Sequence, residues 1–435
     1  MNTAYLGLSE INGSIVILED VDSPAYDEIV EISIPHSVTK TGRVIQVEED
    51  RAVVLVFEGT AEFSLTNTRT RFTGRPMELA MSGDILGRVF DGMGRPIDGL
   101  GPVYGPKRPI NGQAINPTLR AYPKDYIHTG ISAIDGLATL IRGQKLPIFS
   151  GDGLPHDRLA AQIARQANIT SSDNFAVVFA AMGVKYDVAE YFRRSFEESG
   201  SAGRTVMFLN LASDPAVERI ITPRCALTAA EYLAFDKGMH VLAILTDMTA
   251  YAEALREISS TRGEIPSRKG YPGYLYSDLA SLYERAGLLK NGDGSLTQIP
   301  ILTMPSDDIT HPVADLTGYI TEGQIVLDRS LHQRGIYPPV SILPSLSRLM
   351  KDGIGKGRTR DDHPDLAKSL FAAYALVGEA RALASVIGAD ELSEADKRLM
   401  AFGRRFEAEF VGQSEYENRG MHETLDKAVS MLYDI

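Results

Sequence analysis

From about residue 130 onward, uninterrupted apolar runs alternate with helix-like segments. Three of these runs, residues 175–179, 205–209 and 240–245, carry apolar side chains without polar alternation. Strands of that kind are buried on both faces, as happens in parallel sheets that are covered by helices on each side. The sequence therefore predicts an α/β domain built around a parallel sheet.

Helix-like segments fill the spaces between these runs. Apolar residues recur at helical spacing from 159 to 167, and a second, polar-faced helix is predicted over 188–198. After about residue 356 the strand pattern stops, and an alanine-rich sequence that favours helix continues from 365 to the end. We therefore expect a separate helical domain at the C-terminal end of the chain.

The first 72 residues contain short β-rich runs and no convincing helix. Two of these runs, 43–47 and 52–57, flank a polar connection that predicts a β-hairpin. Many short strands favour a small barrel or sandwich. Glycine and proline recur over 83–105, which predicts a linker or an extended loop around the next domain. The predicted domains are a β-barrel over 1–72, an α/β domain over 73–355 and a helical domain over 356–435.

Composition narrows the class of protein. The 435 residues are enough for two or three domains, and the single cysteine, Cys225, excludes an internal disulfide framework. A net charge of −13 argues against a broad attraction to nucleic acid or anionic lipid. No apolar run approaches the roughly 18 residues of a membrane span, and no signal pattern opens the chain. We expect a soluble, cytosolic protein without direct membrane insertion.

The stretch F-S-G-D-G-L-P-H-D-R-L, residues 149–159, stands where a phosphate-binding loop is expected. In such a loop backbone N–H groups cradle phosphates, a lysine neutralises their charge and a hydroxyl ligates Mg²⁺. Here Pro155 removes an N–H group, His156 replaces the lysine and Asp157 replaces the hydroxyl. These changes predict that the chain has no competent ATP site of its own.

Two interpretations of the loop remain open. Gly151, Gly153 and His156 are candidate nucleotide contacts in a degenerate phosphate loop, but the same glycines could form only a turn that caps a helix. Asp247, at the end of the run 241–246, could orient Mg²⁺ or cap the next helix. His311 has no metal-ligand companions, and no Cys/His cluster suggests a structural metal.

Four sequence runs resemble the B-type, non-catalytic subunits of V/A-type rotary ATPases, a family related to the α and β subunits of F-type ATP synthases. They follow the family's order along most of the chain. The runs are R-V-F-D-G-M-G-R-P-I-D-G (88–99), T-G-I-S-A-I-D (129–135), P-V-S-I-L-P-S-L-S-R (339–348) and D-E-L-S-E-A-D (390–396). The resemblance implies an N-terminal β-barrel, a central RecA-like nucleotide-binding domain and a C-terminal α-helical domain.

In this family a degenerate S-G-x-G-L-P-H replaces the phosphate loop of the catalytic A-type chain. Catalytic relatives also carry a glutamate that polarises the attacking water, and the resemblance places Val184 at that position. A valine cannot accept a proton. The resemblance therefore implies a non-catalytic, regulatory subunit of an ion-translocating rotary ATPase that does not hydrolyse ATP alone.

The resemblance also implies a role for the end of the run 339–348. The catalytic and non-catalytic chains would alternate in a hetero-hexameric A3B3 ring, and Arg348 would be an arginine finger that acts on the partner's ATP site, with Ser345 and Ser347 beside it. A guanidinium is permanently charged and forks onto phosphate oxygens. ATP or ADP would lie at the interface, and the partner would hold Mg²⁺. The run 318–324 is similar to a superfamily segment at or near this interface.

The remaining implied contacts concern the stalks. Asp390, Glu391, Glu394 and Asp396 would touch the central rotor stalk, although a solvated helix N-terminus explains such acids equally well. A peripheral stalk would bind the N-terminal barrel, and the complex would hold the chain at the cytoplasmic side of a membrane.

Two other functions agree less well with the sequence. A homohexameric secretion or flagellar ATPase keeps an intact Gly-Lys-Thr, and a RecA-like RNA translocase needs the loop lysine and favours a less acidic chain. The sequence leaves open whether H⁺ or Na⁺ is pumped, and whether ATP is made or consumed.

Overall fold

The computed structural model describes residues 4–34, 39–112, 114–169 and 174–433. They form an N-terminal antiparallel sheet, a central α/β domain and a C-terminal group of helices, in agreement with the predicted fold class.

In the part of the N-terminal domain that the structure describes, seven antiparallel strands form one sheet in the order β1-β7-β4-β5-β6-β3-β2. Its strands are β1 Ala4–Leu6, β2 Glu10–Asn12, β3 Ile15–Leu18, β4 Ile29–Ser33, β5 Lys40–Glu48, β6 Arg51–Val56 and β7 Arg69–Phe72. Val16, Val30, Val44 and Val54 share its apolar core because alternate side chains of each strand point inward. Glu48 pairs with Arg51, so the predicted hairpin is confirmed.

The described residues of the central domain form eleven strands, eight of which make up the main path of one sheet in the order β18-β17-β11-β16-β14-β12-β13-β9. Neighbours from β9 to β17 are parallel, and β18 is antiparallel to β17. Its strands are β8 Glu78–Ala80, β9 Val89–Asp91, β10 Lys107–Pro109, β11 Ile148–Gly151, β12 Phe175–Val184, β13 Thr205–Leu211, β14 His240–Thr246, β15 Gly287–Leu288, β16 Ser295–Met304, β17 Gly323–Leu327 and β18 Val340–Ser347. The predicted parallel sheet is confirmed.

Helices cover this sheet, and the apolar faces that the sequence predicted are buried. Leu159, Ala160, Ile163 and Ala164 of α2 are fully buried, and the predicted second helix begins two residues early, at Tyr186. The helices of this domain are α1 Ser132–Leu137, α2 His156–Gln166, α3 Tyr186–Glu198, α4 Ala216–Glu231, α5 Met248–Thr261, α6 Leu275–Tyr283, α7 Pro312–Ile320, α8 Arg329–Gln333 and α9 Met350–Gly353.

The glycine-rich segment 83–105 is not only a linker, because it contributes β9 to the edge of the central sheet beside β13. Phe90 of β9 stacks on Phe208 of β13, with their ring centroids 5.0 Å apart. Arg88 donates two hydrogen bonds to Asp98, which closes the loop that follows the strand. Three residues are too few to show a hydrophobic period in the sequence. The stacking of Phe90 on Phe208 holds β9 beside β13.

The C-terminal domain consists of α10 His363–Ile387, α11 Glu394–Arg405, the π-helical segment Phe406–Val411 and α12 Met421–Leu432. Gly403 of α11 lies against Val377 of α10, where any side chain on Gly403 would collide. By length and composition alone α10 could cross a membrane, although charged residues interrupt its apolar sequence. It is the one such helix among the described residues. It packs against α11 and α12, and its side chains Leu370, Ala373 and Val377 are buried.

Candidate functional site

The degenerate loop lies between β11 and α2, at the edge of the sheet where the parallel strands end. β11 is fully buried between β16 and β17, and α2 begins at His156, directly after Pro155. Gly153 has a φ of +74°, a conformation that favours glycine. Ligands of open α/β sheets bind at this edge. The chain therefore keeps the frame of a phosphate-binding loop.

An ion pair from the segments after the two neighbouring strands lies against the first residues of this loop, Gly151 and Asp152. Asp307 lies in the turn after β16, and Arg329 begins α8 after β17. Arg329 donates to both carboxylate oxygens of Asp307, with Nε–Oδ2 at 2.7 Å and Nη2–Oδ1 at 2.8 Å, and to the carbonyl oxygen of Asp152 at 2.8 Å. Asp307 packs so closely on Gly151 that a side chain there would collide with it.

The side chain of His156, at the start of α2, contacts Asp157 and also Ser150 at the end of β11. His156 Nδ1 lies 3.1 Å from Ser150 Oγ, and His156 Nε2 lies 3.7 Å from Asp157 Oδ1. Burial raises the pKa of the Asp157 carboxyl, and His156 offsets part of that rise. Asp152 and Asp157 give the loop an acidic character, which opposes the binding of a polyphosphate, whereas Asp307 is neutralised by Arg329.

Asp247 caps α5, which is one of the two roles that the sequence left open. Its carboxylate accepts hydrogen bonds from the backbone N–H groups of Thr249, at 2.7 Å, and Thr303, at 3.2 Å, and from the Thr303 hydroxyl. Burial raises the pKa of Asp247 to about 6, although His156 lowers it. These hydrogen bonds are made within the chain and hold the carboxylate in place.

The end of β12 carries no carboxylate at the position that the resemblance assigns to the catalytic glutamate. Val184 is half-buried and packs against the apolar core. The preceding Gly183 has a φ of +68°, and its N–H group donates to Asn210 Oδ1 at 3.1 Å. Arg219 donates to the same oxygen at 2.9 Å. At the end of β12 there is therefore no carboxylate that could activate a water molecule. Val184 packs in the core, and the Asn210 amide binds Gly183 and Arg219.

β18 carries the predicted arginine-finger run along the edge of the sheet. Ser345 is buried, and its hydroxyl accepts from Val326 N at 2.9 Å and donates to Ser341 O at 2.5 Å. The hydroxyl of Ser347 contacts Gln144 Nε2 at 2.9 Å. Both hydroxyls therefore hold β18 in place, and neither points to solvent as a free ligand.

Arg348 follows β18 directly and differs from these two serines. Its backbone N–H donates to the carbonyl oxygen of Glu322 at 2.9 Å, whereas its side chain is exposed. Among the described residues the Arg348 guanidinium forms no ion pair or hydrogen bond. The Glu322 carboxylate is already bound by Lys145, with Nζ at 2.9 Å and the backbone N at 2.8 Å. The carbonyl group of Glu322 therefore holds the backbone of Arg348, whereas the Glu322 carboxylate does not pair with the Arg348 guanidinium.

Exposed apolar side chains accompany Arg348. Leu343 and Leu346 of β18 are 42% and 44% exposed, and Tyr319, from the run 318–324, is 74% exposed. Exposed aromatic residues and arginine are both enriched at protein–protein interfaces.

The acidic turn lies elsewhere, between α10 and α11 of the C-terminal domain. Asp390, Glu391 and Glu394 are exposed, and Asp396 is half-buried. Ser393 caps α11, because its hydroxyl accepts from Asp396 N at 3.1 Å and donates to the Asp396 carboxylate at 2.5 Å. The four acids are therefore brought together at one turn, on a different domain from the loop and Arg348.

His311 is buried against Tyr271, with ring centroids 5.6 Å apart, and burial lowers its pKa. Within the described ranges, no group of three or more His, Cys, Asp or Glu side chains is arranged to hold a metal ion.

Comparison with known protein families covers most of the chain. The nucleotide-binding domain of the ATP synthase alpha/beta family matches residues 130–347, and the beta-barrel domain of that family matches residues 8–74. The C-terminal domain of V and A type ATP synthases matches residues 352–435.

Relatives match over nearly their whole length. The chain is 62% identical over 433 residues to the V-type ATP synthase beta chain of Halothermothrix orenii, covering 99% of this chain and 94% of the relative. It is 61% identical to V-type ATP synthase beta chain 2 of Clostridium tetani, covering 99% and 95% of the two chains. A solved structure of an ATP synthase subunit, NeqB, from Nanoarcheaum equitans is 42% identical with a TM-score of 0.77, over 97% of this chain and 98% of that one.

The degenerate loop, the run that ends at Arg348 and these full-length similarities agree with one another. The chain belongs to the ATP synthase alpha/beta family and, within it, to the beta chains, or B-type subunits, of V/A-type ATP synthases.

Proposed function

We propose that this chain is the non-catalytic subunit of an ion-translocating rotary ATPase or ATP synthase, where it alternates with the catalytic A-type chain in an A3B3 ring. Its contribution to the chemistry is Arg348, which reaches across the interface to a nucleotide held by the partner's own loop. The observation that carries the proposal is the contrast between a fixed backbone and an unpaired, exposed guanidinium at this residue, within the part of the chain that the structure describes.

An arginine that acts on a nucleotide bound to another subunit needs a fixed backbone and an unpaired guanidinium group. Three contacts fix the backbone here: the hydrogen bond of Arg348 N to the Glu322 carbonyl, the contact of Ser347 with Gln144 and the hydrogen bond of Val326 N to the Ser345 hydroxyl. The guanidinium can then bind phosphate oxygens without first breaking an ion pair within the chain. There it would stabilise the charge that develops on the transferred phosphoryl group.

The chain's own loop supports the non-catalytic part of the proposal. The Arg329–Asp307 pair lies against Gly151 and Asp152, and Val184 stands where the family resemblance places the water-activating carboxylate of catalytic relatives. ATP or ADP would therefore bind at the interface with the catalytic chain, whose loop would hold Mg²⁺. Gly151, Gly153 and His156 would keep at most a weak nucleotide contact.

The other partners follow from the exposed surfaces of the two terminal domains. The turn of Asp390, Glu391, Glu394 and Asp396 would face the central rotor stalk, and the N-terminal barrel would bind the peripheral stalk. The chain would be peripheral to a membrane, at its cytoplasmic side, because the complex and not this chain contains the ion channel. Neither nucleic acid binding nor direct insertion into the membrane is part of this function.

Co-expression with the partner chain tests the proposal. We expect a larger chain with an intact Gly-x-x-x-x-Gly-Lys-Thr to co-purify in equal amounts as a hexamer, and that hexamer to hydrolyse ATP while this chain alone does not. A homohexamer of this chain with ATPase activity would instead support a secretion-type ATPase. Tight binding of RNA at physiological salt would support an RNA translocase.

A further inference from the structure

Lys145 is a buried cation in the segment between α1 and β11. Only 4% of it is exposed, and its Nζ lies 2.7 Å from Glu284 Oε1 and 2.9 Å from Glu322 Oε1. A lysine is almost never buried to this degree unless it is paired. Glu284 also binds Arg120, at 3.0 Å, whereas Glu322 has Lys145 as its one cationic partner among the described residues. The charge of Glu322 is therefore balanced by this lysine alone.

Glu322 connects Lys145 to the end of β18. The Lys145 backbone N–H donates to Glu322 Oε2 at 2.8 Å, and the Glu322 backbone N–H donates to the Lys145 carbonyl oxygen at 3.1 Å. The Glu322 carbonyl oxygen accepts from Arg348 N at 2.9 Å and from Gln144 Nε2 at 3.0 Å. Lys145 thus holds both the side chain and the backbone of the residue to which Arg348 is hydrogen-bonded.

β18 receives its strand hydrogen bonds from one side only. Among the described strands it lies at the edge of the sheet beside β17, and the last paired residues are Gly323 and Ser347. The two strands are so close here that a Cβ atom on Gly323 would lie 2.2 Å from the Leu346 carbonyl oxygen. A displacement of Glu322, which precedes Gly323, would therefore be transmitted directly to the backbone of Arg348.

Removal of the Lys145 charge would have two effects. Glu322 would lose the contact that orients its side chain, and an unpaired carboxylate would remain on the residue that is hydrogen-bonded to Arg348. Opposite charges attract strongly at short range. A guanidinium that is bound to Glu322 is not available to phosphate oxygens, so the ammonium group of Lys145 both orients Glu322 and neutralises its charge.

We propose that Lys145 is a positioning residue for Arg348: it holds Glu322 in place, so that the Glu322 carbonyl fixes the backbone of Arg348 and the Glu322 carboxylate does not pair with its guanidinium. This inference rests on the proposed function, in which Arg348 acts on a nucleotide bound to the partner chain. Because Lys145 is buried, its effect on the reaction would be exerted through Arg348.

Hydrolysis of ATP by the assembled complex measures this effect. Lys145→Met, which keeps a long side chain but removes its charge, should lower kcat by about 10²-fold, the cost of a displacement of about 1 Å at a catalytic group. Glu322→Gln, which keeps the carbonyl that binds Arg348, should lower kcat by about tenfold. KM for ATP should change much less than kcat in both variants, because the partner's loop binds the nucleotide.

Arg224→Met is the matched control. Arg224 forms a buried ion pair with Asp278 at 2.6 Å, which joins α4 to α6 in the same domain. Loss of this pair should lower Tm, as the loss of the Lys145 charge does, but should leave kcat within about threefold of the parent. The subunit ratio and Tm show that each variant is assembled and folded, and if Lys145→Met does not assemble, Glu322→Gln decides the result.

Combination with Arg348→Ala separates a positioning role from a structural one. If Lys145 acts through Arg348, adding Lys145→Met to Arg348→Ala should lower kcat by no more than about threefold, since the residue on which it acts is already absent. A purely structural role would instead lower kcat by the same factor with and without Arg348.

Two results would overturn this proposal while the proposed function stands. One is a kcat within a few fold of the parent for the assembled Lys145→Met and Glu322→Gln variants, together with a large loss in Arg348→Ala. The other is an equal loss from Lys145→Met with and without Arg348. Full activity of Arg348→Ala is a distinct outcome, because it would contradict the proposed function itself and this proposal with it.

Discussion

Asp307 lies against Gly151 so closely that the loop glycine has room for no side chain, and Arg329 clamps that carboxylate in place. This ion pair comes from the segments that follow the strands on either side of β11, and it contacts the first two loop residues, Gly151 and Asp152. The loop is thus modified twice: its phosphate and metal ligands are replaced, and an ion pair is added beside its first residues.

The first prediction concerns nucleotide binding by the isolated chain. MgATP should bind far more weakly than to a competent phosphate loop, because Pro155, His156 and Asp157 remove an N–H donor, a cation and a metal ligand. Calorimetry with the purified chain measures this. Submicromolar affinity that depends on Mg²⁺ would contradict it.

Restoring the loop separates its two modifications. His156→Lys combined with Asp157→Thr should regain little affinity, because Pro155 still lacks an N–H group and the Asp307–Arg329 pair still lies against Gly151. Adding Asp307→Ala and Arg329→Ala to these changes should increase the affinity further. If the first pair of substitutions alone restored tight binding, the ion pair would not block the loop.

The second prediction concerns Arg348. In the assembled complex, Arg348→Ala should lower ATP hydrolysis at saturating ATP by about 10³ to 10⁵, or about 4 to 7 kcal/mol of barrier. Arg348→Lys should rescue little, because lysine keeps the charge but not the planar fork. Nucleotide affinity should fall less than turnover, since the interaction is strongest in the transition state.

Two controls keep this result interpretable. The subunit ratio of the variant complex should match the parent, because one side chain is a small part of a large interface. Arg193→Ala, which removes an exposed arginine from α3, should keep full activity. Activity of Arg348→Ala within a few fold of the parent would remove this residue from the catalytic site.

The third prediction concerns the acidic turn. Replacing Asp390, Glu391, Glu394 and Asp396 together with alanine should reduce torque or change hydrolysis in rotation assays, if these side chains contact the rotor. Ser393→Ala is the matched control, because it removes the cap of α11 and about 1 kcal/mol of stability but keeps all four charges. Unchanged torque and activity in the quadruple variant would leave only the role of a solvated helix N-terminus.

The fourth prediction concerns the acid stability of the C-terminal domain. Burial alone would raise the pKa of Glu407, but hydrogen bonds from Arg381, Arg334 and Tyr374 lower it to about 2. A carboxyl whose pKa is depressed on folding contributes stability above its unfolded value, near 4.5, and loses that contribution as the pH falls toward 2. We therefore expect Tm to fall between about pH 4.5 and 2.

Glu407→Gln tests the source of this pH dependence. The variant should lose about 2 kcal/mol at neutral pH, because hydrogen bonds to a charged group become hydrogen bonds to a neutral one. Its Tm should then vary less than the parent's over the acid range. The same slope in both proteins would show that other carboxyls control acid unfolding.

The fold was predictable because its signals are local and periodic. Unbroken apolar runs such as 175–179 and 205–209 indicated parallel strands, and the stripe through Leu159 and Ile163 indicated the buried face of α2. The sequence predicted a linker in place of β9 because three residues carry no period. The strand exists because Phe90 stacks on Phe208, more than a hundred residues away.

The site was predictable only where the chain carries a motif. Pro155, His156 and Asp157 are visible as departures from a known loop pattern. Arg329 and Asp307 belong to no motif, and they meet only because β16 and β17 flank β11. Arg348 was identified by family resemblance, since a lone arginine has no pattern that separates it from a surface ion pair.

The placement of β9 also determines how the chain responds to mechanical load. The barrel enters the central domain through a segment that is itself hydrogen-bonded along β13 and closed by the Arg88–Asp98 pair. A pull on the barrel must therefore shear this strand before it can slacken the connection. We therefore expect the connection to be stiff, so that a sideways force on the barrel is transmitted to the central sheet.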